Sequence, residues 1–196
     1  MSVLLDAGPV LNFLAAGEQN LLIQAAGLVS LQLAAPERVD IEVQGKCRDP
    51  RFVGTPALAT WNKLKASGRV QILSDTLADD AFVEAIARVS GVNADVRIRT
   101  GANLGEIMVI AHAAVLVQAG VSVFVLIDEA AGRRRARGEQ KWLERQQAPG
   151  KLTLWSTTQL LRNAHGEGWL PGGWEPVYNR MRRYDDGLPP LVSSTP

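Results

Sequence analysis

The feature that most constrains the fold is an alternation along the chain between short β-branched or apolar runs and segments of helical periodicity. The predicted strands lie at residues 3–5, 30–33, 69–73, 121–127 and 151–156. Strands that alternate with helices in this way pair in parallel, because each helix carries the chain back across the sheet. We therefore predict an α/β fold with a parallel sheet of about five strands, flanked by helices on both faces.

Proline and glycine mark where several of the predicted helices begin and end. Pro9 and Pro36 are placed to open helices, and Gly17 and Gly45 are placed to end them. Residues 91–101 are polar and flanked by glycine, so we predict a connection there rather than a helix.

The segment 107–127 is apolar enough to resemble a membrane span. His112, Gln118 and Ser122 interrupt it, and Gly120 supplies a helix stop before a β-branched run. A helix followed by a buried strand explains the segment better, and we expect no contact with a membrane.

The composition is that of a globular chain with a substantial core. The chain has 196 residues, of which 46% are hydrophobic, and a net charge of +1, which does not indicate a strongly basic nucleic-acid binder. Its one cysteine, Cys47, cannot form an internal disulfide, and no secretion signal is apparent, so we expect a cytoplasmic protein.

The chain changes character after residue 165. We predict one domain over residues 1–165 and a C-terminal extension over 166–196, whose last eight or so residues are disordered by composition. The extension is rich in glycine, proline, tryptophan and arginine. It is expected either to pack on an apolar surface or to bind RNA by stacking and charge.

Acidic residues recur where the predicted elements meet. Asp6 and Asp128 end the first and fourth predicted strands, and Glu129 follows directly; Glu42 and Glu106 lie on predicted helices. The carboxyl ends of parallel strands share one edge of a sheet, where ligands bind at the point of reversed strand order. Carboxylates crowded at such an edge repel one another unless a cation neutralises them, which favours a site for a hard divalent ion.

Each acid also has an ordinary structural interpretation. Asp6 could begin a turn into the first helix, and Asp128 could cap the helix that follows it. Asn103 and Glu106 fit a capping box, and Glu42 could be a solvated helix position. The order and spacing of the acids together, rather than any one of them, favour the metal site.

Four segments together resemble the PIN-domain ribonucleases, including the toxins of VapBC-type toxin–antitoxin pairs. They read LLDAGPVLNFL, an acid in the helix after PERV, LGEIMVIAHA, and LIDEAAGRRRA before a final strand LTLWSTTQLL. The resemblance covers residues 2–165. Gly8 and Ile127 depart from it, standing where the family often has a small polar residue and a threonine.

The resemblance implies a PIN-like sheet and a nuclease that uses Mg²⁺ or Mn²⁺ to cleave RNA. The implied catalytic and metal-binding residues are Asp6, Glu42, Glu106 and Asp128, with Glu129 assisting Asp128. Asn12 would support this site by orienting a carboxylate or water. The implied partners are an RNA substrate, a second copy of the chain in a homodimer and, for a toxin, an antitoxin protein.

Basic and hydroxyl side chains follow the last acids. Arg133, Arg134 and Arg135, with Arg137, either bind RNA phosphates or form an exposed basic helix face. Ser156, Thr157 and Thr158 could donate to a phosphate or cap the last predicted helix.

Three other functions compete with the nuclease. A zinc site is not expected, since His112 and His165 stand apart from any cysteine cluster. A phosphatase with Asp6 as nucleophile would usually have a second aspartate at the position of Gly8. A catalytically degenerate PIN-like module that binds RNA or a protein is the non-enzymatic alternative.

Overall fold

The predicted strands form one all-parallel sheet with β1 at its centre. The computed structural model describes residues 2–28, 31–101, 103–185 and 188–191. The sheet order is β3-β2-β1-β4-β5. The strands are β1 (Ser2–Leu5), β2 (Gln32–Pro36), β3 (Val70–Leu73), β4 (Val123–Leu126) and β5 (Leu152–Trp155). The α/β prediction is confirmed, and the architecture is consistent with a PIN-like fold.

Helices separate the strands along the chain and flank the sheet. They are α1 (Ala7–Ala15), α2 (Gln19–Leu28), α3 (Glu37–Lys46), α4 (Ala57–Ala66), α5 (Asp80–Ser90), α6 (Ala94–Thr100), α7 (Leu104–Gln118), α8 (Ala130–Arg145), α9 (Thr157–Gly166) and α10 (Glu175–Met181). The side chains of Val3, Leu4 and Leu5 in β1 are all fully buried. Since successive strand residues point to opposite faces, both faces of the sheet are covered.

Helix α7 is largely buried in the middle of the fold. It packs against α3, α5 and α8 and also against strands β1, β2, β4 and β5. This explains the apolar segment 107–127, which is α7 followed by β4, as the sequence predicts. In the described part of the chain, no helix combines the length and the apolar character needed to cross a membrane.

The structure differs from the sequence prediction at several helices. The predicted connection at 91–101 contains α6, and that prediction was wrong because α6 buries only Ala94 and so lacks an apolar face. The sequence patterns do not predict α2 or α10 either. Pro9 is the third residue of α1 rather than its first, and Pro36 ends β2 while α3 begins at Glu37.

The C-terminal extension packs on the domain through α10, which contacts α1 and α9. Val177, Tyr178 and Met181 are buried, and the Tyr178 hydroxyl donates to the Pro189 carbonyl at 2.8 Å. Packing is therefore a role of the extension. Of the predicted disordered end, residues 192–196 lie outside the described residues.

Candidate functional site

Asp6 and Asp128 both follow central strands of the sheet and lie at its carboxyl edge. Leu5 of β1 is in register with Leu126 of β4, and the Asp6 amide donates to the Leu126 carbonyl at 3.2 Å. Strand order reverses between these two strands, since β2 and β3 lie beyond β1 and β5 lies beyond β4. The strand pattern therefore places both aspartates at the expected ligand-binding edge.

Glu42 and Glu106 reach the same edge because α3 packs against α7. The Gly105 amide donates to Glu42 Oε1 at 3.1 Å, and Arg38 Nε lies 3.5 Å from the same oxygen. A Cβ at Gly105 would lie 2.5 Å from Glu42 Oε2, so any other residue at this position would displace the carboxylate. Glu42 is thus held by the first turn of α7 rather than solvated.

Glu106 is buried and lies against helix α8. It is 5% exposed, and its Oε1 forms an ion pair with Arg135. Its Oε2 is buried with no hydrogen-bond partner in the described structure. The predicted capping box is wrong, because Asn103 adopts a left-handed backbone and its side chain makes no capping bond. Glu106 is available for a role other than capping.

Asp128 is held by the start of α9 instead of capping α8. Its Oδ1 accepts from the Thr157 amide at 2.8 Å, and its Oδ2 accepts from the Thr157 hydroxyl. Glu129 is the residue that precedes α8, and it is exposed. The Ser156 hydroxyl accepts from the Gln159 amide, so capping of α9, one of its two predicted roles, is confirmed. The Thr157 hydroxyl is committed to Asp128.

One pocket of about 700 Å³ is lined by all the acids predicted for the site: Asp6, Glu42, Glu106, Asp128 and Glu129. The pocket also contains side chains that the sequence interpretation did not assign to the site. They are Lys46, Arg51, Phe52, Tyr184 and Asp185. Asp185 lies in the C-terminal extension, far from the other acids in sequence, and only its acidic character could have pointed to it. The predicted acids therefore line the same pocket.

Burial, reinforced by neighbouring acids, raises the pKa of three carboxyl groups in the pocket: Asp6, Glu106 and Asp128. Burial raises the pKa of Asp6 from 3.8 to about 7, against a hydrogen bond from the Ala7 amide, and Glu42 and Glu106 raise it further. Burial also raises the pKa of Glu106, with Arg135 opposing the shift. It raises that of Asp128 too, opposed by Thr157 and reinforced by the charge of Asp185.

Asn12, predicted to support the site, is buried at the pocket wall. Its side chain is 1% exposed, and its Nδ2 donates to Asp185 Oδ2 at 2.8 Å. Its Oδ1 is buried with no hydrogen-bond partner in the described structure. The Asn12 amide therefore donates through Nδ2 to Asp185, while its Oδ1 accepts no hydrogen bond from the described residues.

The arginines after Asp128 divide into structural and exposed groups. Arg133 donates through one nitrogen to the carbonyls of Ile127 and Trp155, both at 2.9 Å, which ties α8 to the ends of β4 and β5. Arg135 pairs with Glu106, while Arg134 is exposed. Phosphate binding by these three residues stays a prediction, and Arg134 is the one whose side chain forms no hydrogen bond or ion pair with the described residues.

The pocket offers oxygen donors of the kind that bind divalent cations. Among the described residues, no three His, Cys, Asp or Glu side chains are grouped tightly enough to hold an ion as they stand. The donors that surround the pocket are carboxylate and amide oxygens, which hard cations prefer. Glu106 Oε2 and Asn12 Oδ1 are buried and find no hydrogen-bond partner in the part of the chain that the structure describes, a costly arrangement that a cation would relieve. The residue types fit Mg²⁺ or Mn²⁺.

Comparison with known proteins identifies no relative. No protein-family model matches the chain, and searches of curated proteins and of solved structures give no significant match. The resemblance to PIN-domain ribonucleases therefore stays a prediction from the quoted motifs.

Proposed function

We propose that this chain is a metal-dependent ribonuclease that hydrolyses RNA phosphodiester bonds at the pocket lined by Asp6, Glu42, Glu106 and Asp128. The observation that carries the proposal is that these acids, from two strand ends and two helices, line one pocket that also contains Asn12, whose buried Oδ1 has no partner among the described residues. Structural carboxylates are seldom gathered in this way, because each raises the cost of ionising the next.

The cofactor of the proposed enzyme is Mg²⁺ or Mn²⁺. Asp6, Glu42, Glu106 and Asp128 would hold it, with Glu129 at the rim of the pocket and Asn12 as a supporting group. A bound divalent ion supplies charge stabilisation at the phosphate and lowers the pKa of water.

The basic side chains of the pocket suit a phosphate backbone. Lys46 and Arg51 are exposed residues that line the pocket beside the acids. They would bind phosphate oxygens flanking the bond to be cleaved, while the buried wall formed by Asn12 and Glu106 excludes water behind it. Arg134 would extend this basic surface.

A cytoplasmic toxin that acts as a homodimer and is controlled by an antitoxin belongs to the same proposal. It rests on the resemblance to toxin components alone. A neighbouring reading frame that encodes a small partner protein would support it.

A degenerate PIN-like module that binds RNA or a protein is the second candidate. The observation that favours it is that protein groups already engage three acids: Arg38 pairs with Glu42, Arg135 with Glu106, and Thr157 binds Asp128. Such a module needs no cation.

Cleavage of single-stranded RNA by the purified chain, with Mg²⁺, Mn²⁺ or a chelator, separates the two candidates. The proposal expects cation-dependent cleavage that Asp6→Asn abolishes, because the change removes charge but little volume. Asp95→Asn, an exposed acid in the first turn of α6, is the matched control and should cleave like the wild type. RNA binding without cleavage at any cation concentration would establish the module instead.

A further inference from the structure

The C-terminal extension contributes two adjacent side chains to the candidate site. Tyr184 and Asp185 both line the pocket, although they follow α10 and lie more than 50 positions beyond Asp128. Asp185 Oδ2 accepts from Asn12 Nδ2 at 2.8 Å, a contact between residues 173 positions apart. The extension therefore does more than cover an apolar surface.

The described residues near Asp185 make contacts of their own. The Tyr184 ring stacks on Phe52, with centroids 5.9 Å apart and an interplanar angle of 21°. The Tyr178 hydroxyl donates to the Pro189 carbonyl at 2.8 Å, and Arg182 Nε donates to the Leu188 carbonyl at 3.2 Å. The residue that precedes Asp185 is thus held on Phe52 of the main domain.

The hydrogen bond from Asn12 Nδ2 to Asp185 also orients the other polar atom of the amide, Oδ1. Because Nδ2 donates to Asp185, that bond sets the orientation of the planar amide and with it the direction of Oδ1. This oxygen is buried without a hydrogen-bond partner in the described structure, and Asn12 is 1% exposed. An unpaired buried carbonyl of this kind is costly unless something binds it.

We propose that the C-terminal extension completes the cation site: Asp185 adds a carboxylate and holds the Asn12 amide so that Oδ1 is a neutral oxygen ligand. The inference rests on the proposed function, since the ion is the same one. Hard divalent cations take six or more oxygens, and amide carbonyls serve beside carboxylates.

The test is calorimetric titration of the full-length chain with MnCl₂, combined with urea unfolding in chelator. Asp185→Asn keeps an acceptor for Asn12 but removes the charge. We expect about tenfold or greater loss of Mn²⁺ affinity, as for other groups that orient or supplement metal ligands. The unfolding free energy in chelator measures what each variant does to stability without the ion. A purely structural Asp185 would lower that free energy on substitution and leave the Mn²⁺ affinity of the folded chain unchanged.

Two further variants make the outcome decisive. Asp185→Ala, which also frees the Asn12 amide, should lose at least as much affinity as Asp185→Asn. Glu175→Gln removes an exposed acid from the same extension, outside the pocket, and should bind Mn²⁺ like the wild type. Wild-type affinity in both Asp185 variants would overturn this inference and leave the proposed function standing. A wild-type chain that binds no Mn²⁺ would overturn both.

Discussion

The substitution Gly132→Ala tests whether the Glu106 carboxylate lies where the structure places it. A Cβ on Gly132 of α8 would lie 2.8 Å from Glu106 Cγ and closer still to its carboxylate, distances that folded proteins do not tolerate. Alanine normally stabilises a helix interior by about 1 kcal/mol relative to glycine. Inserting a methyl group into a filled space costs about 1–3 kcal/mol. The two effects oppose each other in this variant.

Gly138→Ala is the matched control, because it lies on the same helix and an added Cβ meets no other atom within 4 Å. It should raise the unfolding free energy by up to about 1 kcal/mol through helix propensity alone. We expect Gly132→Ala to be less stable than Gly138→Ala by about 1–3 kcal/mol, the cost of overpacking. Urea unfolding of both variants in chelator, at constant pH, measures the difference.

The same two glycine substitutions in a Glu106→Ala chain test whether Glu106 causes the lower unfolding free energy of Gly132→Ala. In a Glu106→Ala chain the obstacle is absent, so Gly132→Ala should behave like Gly138→Ala, a non-additivity that a double-mutant cycle measures. Equal stabilities of the two glycine variants in the wild-type background would refute the placement of Glu106 against α8. Under the proposed function, Gly132→Ala should also weaken Mn²⁺ binding while Gly138→Ala does not.

Three further predictions concern pH, the core and the extension. Between about pH 4 and 7 the folded chain keeps a proton on Asp6, whose pKa is about 7, whereas the unfolded chain releases it near 3.8. In chelator, the unfolding free energy should therefore fall as pH rises from about 4 to 7, by roughly 3–4 kcal/mol at most. Asp6→Asn should reduce this dependence in urea titrations at several pH values, and an unchanged profile would contradict the prediction. The ion pair between Arg88 and Glu139 is bidentate, and Glu139 is only 4% exposed. Arg88→Met should therefore lower the unfolding free energy in urea by about 3–5 kcal/mol, because it leaves a buried carboxylate without its partner. A change below about 1 kcal/mol, typical of a surface pair, would show that the pair is hydrated. Deleting residues 166–196 removes the buried Tyr178 and should lower the melting temperature measured by circular dichroism, whereas an unchanged melting temperature would show that the extension does not pack on the domain.

Much of the fold follows from local sequence signals. The runs at β1 and β4 are apolar on successive positions because both of their faces are covered, and this pattern is visible without a structure. The segment 107–127 could likewise be divided into helix and strand from Gly120. Helix α6 escaped prediction because it buries only Ala94, so no apolar periodicity marks it.

The candidate site divides in the same way. Asp6 and Asp128 could be placed together from the sequence, because parallel strands end at one edge and each acid follows its strand directly. The partners of the acids could not be predicted, since they depend on how helices pack. Arg135 reaches Glu106 only because α8 lies against α7, and the phosphate role predicted for this arginine competes with that ion pair.

The amino-acid order by itself determined the layered α/β architecture and the acids at the strand ends, because strand and helix periodicities are local properties of the chain. Tertiary structure alone decided which acid is paired, which oxygen is left without a partner, and that Asp185 joins Asn12 across 173 positions. The physical reason is that contacts between distant segments depend on the packing of whole helices, which no short stretch of sequence encodes.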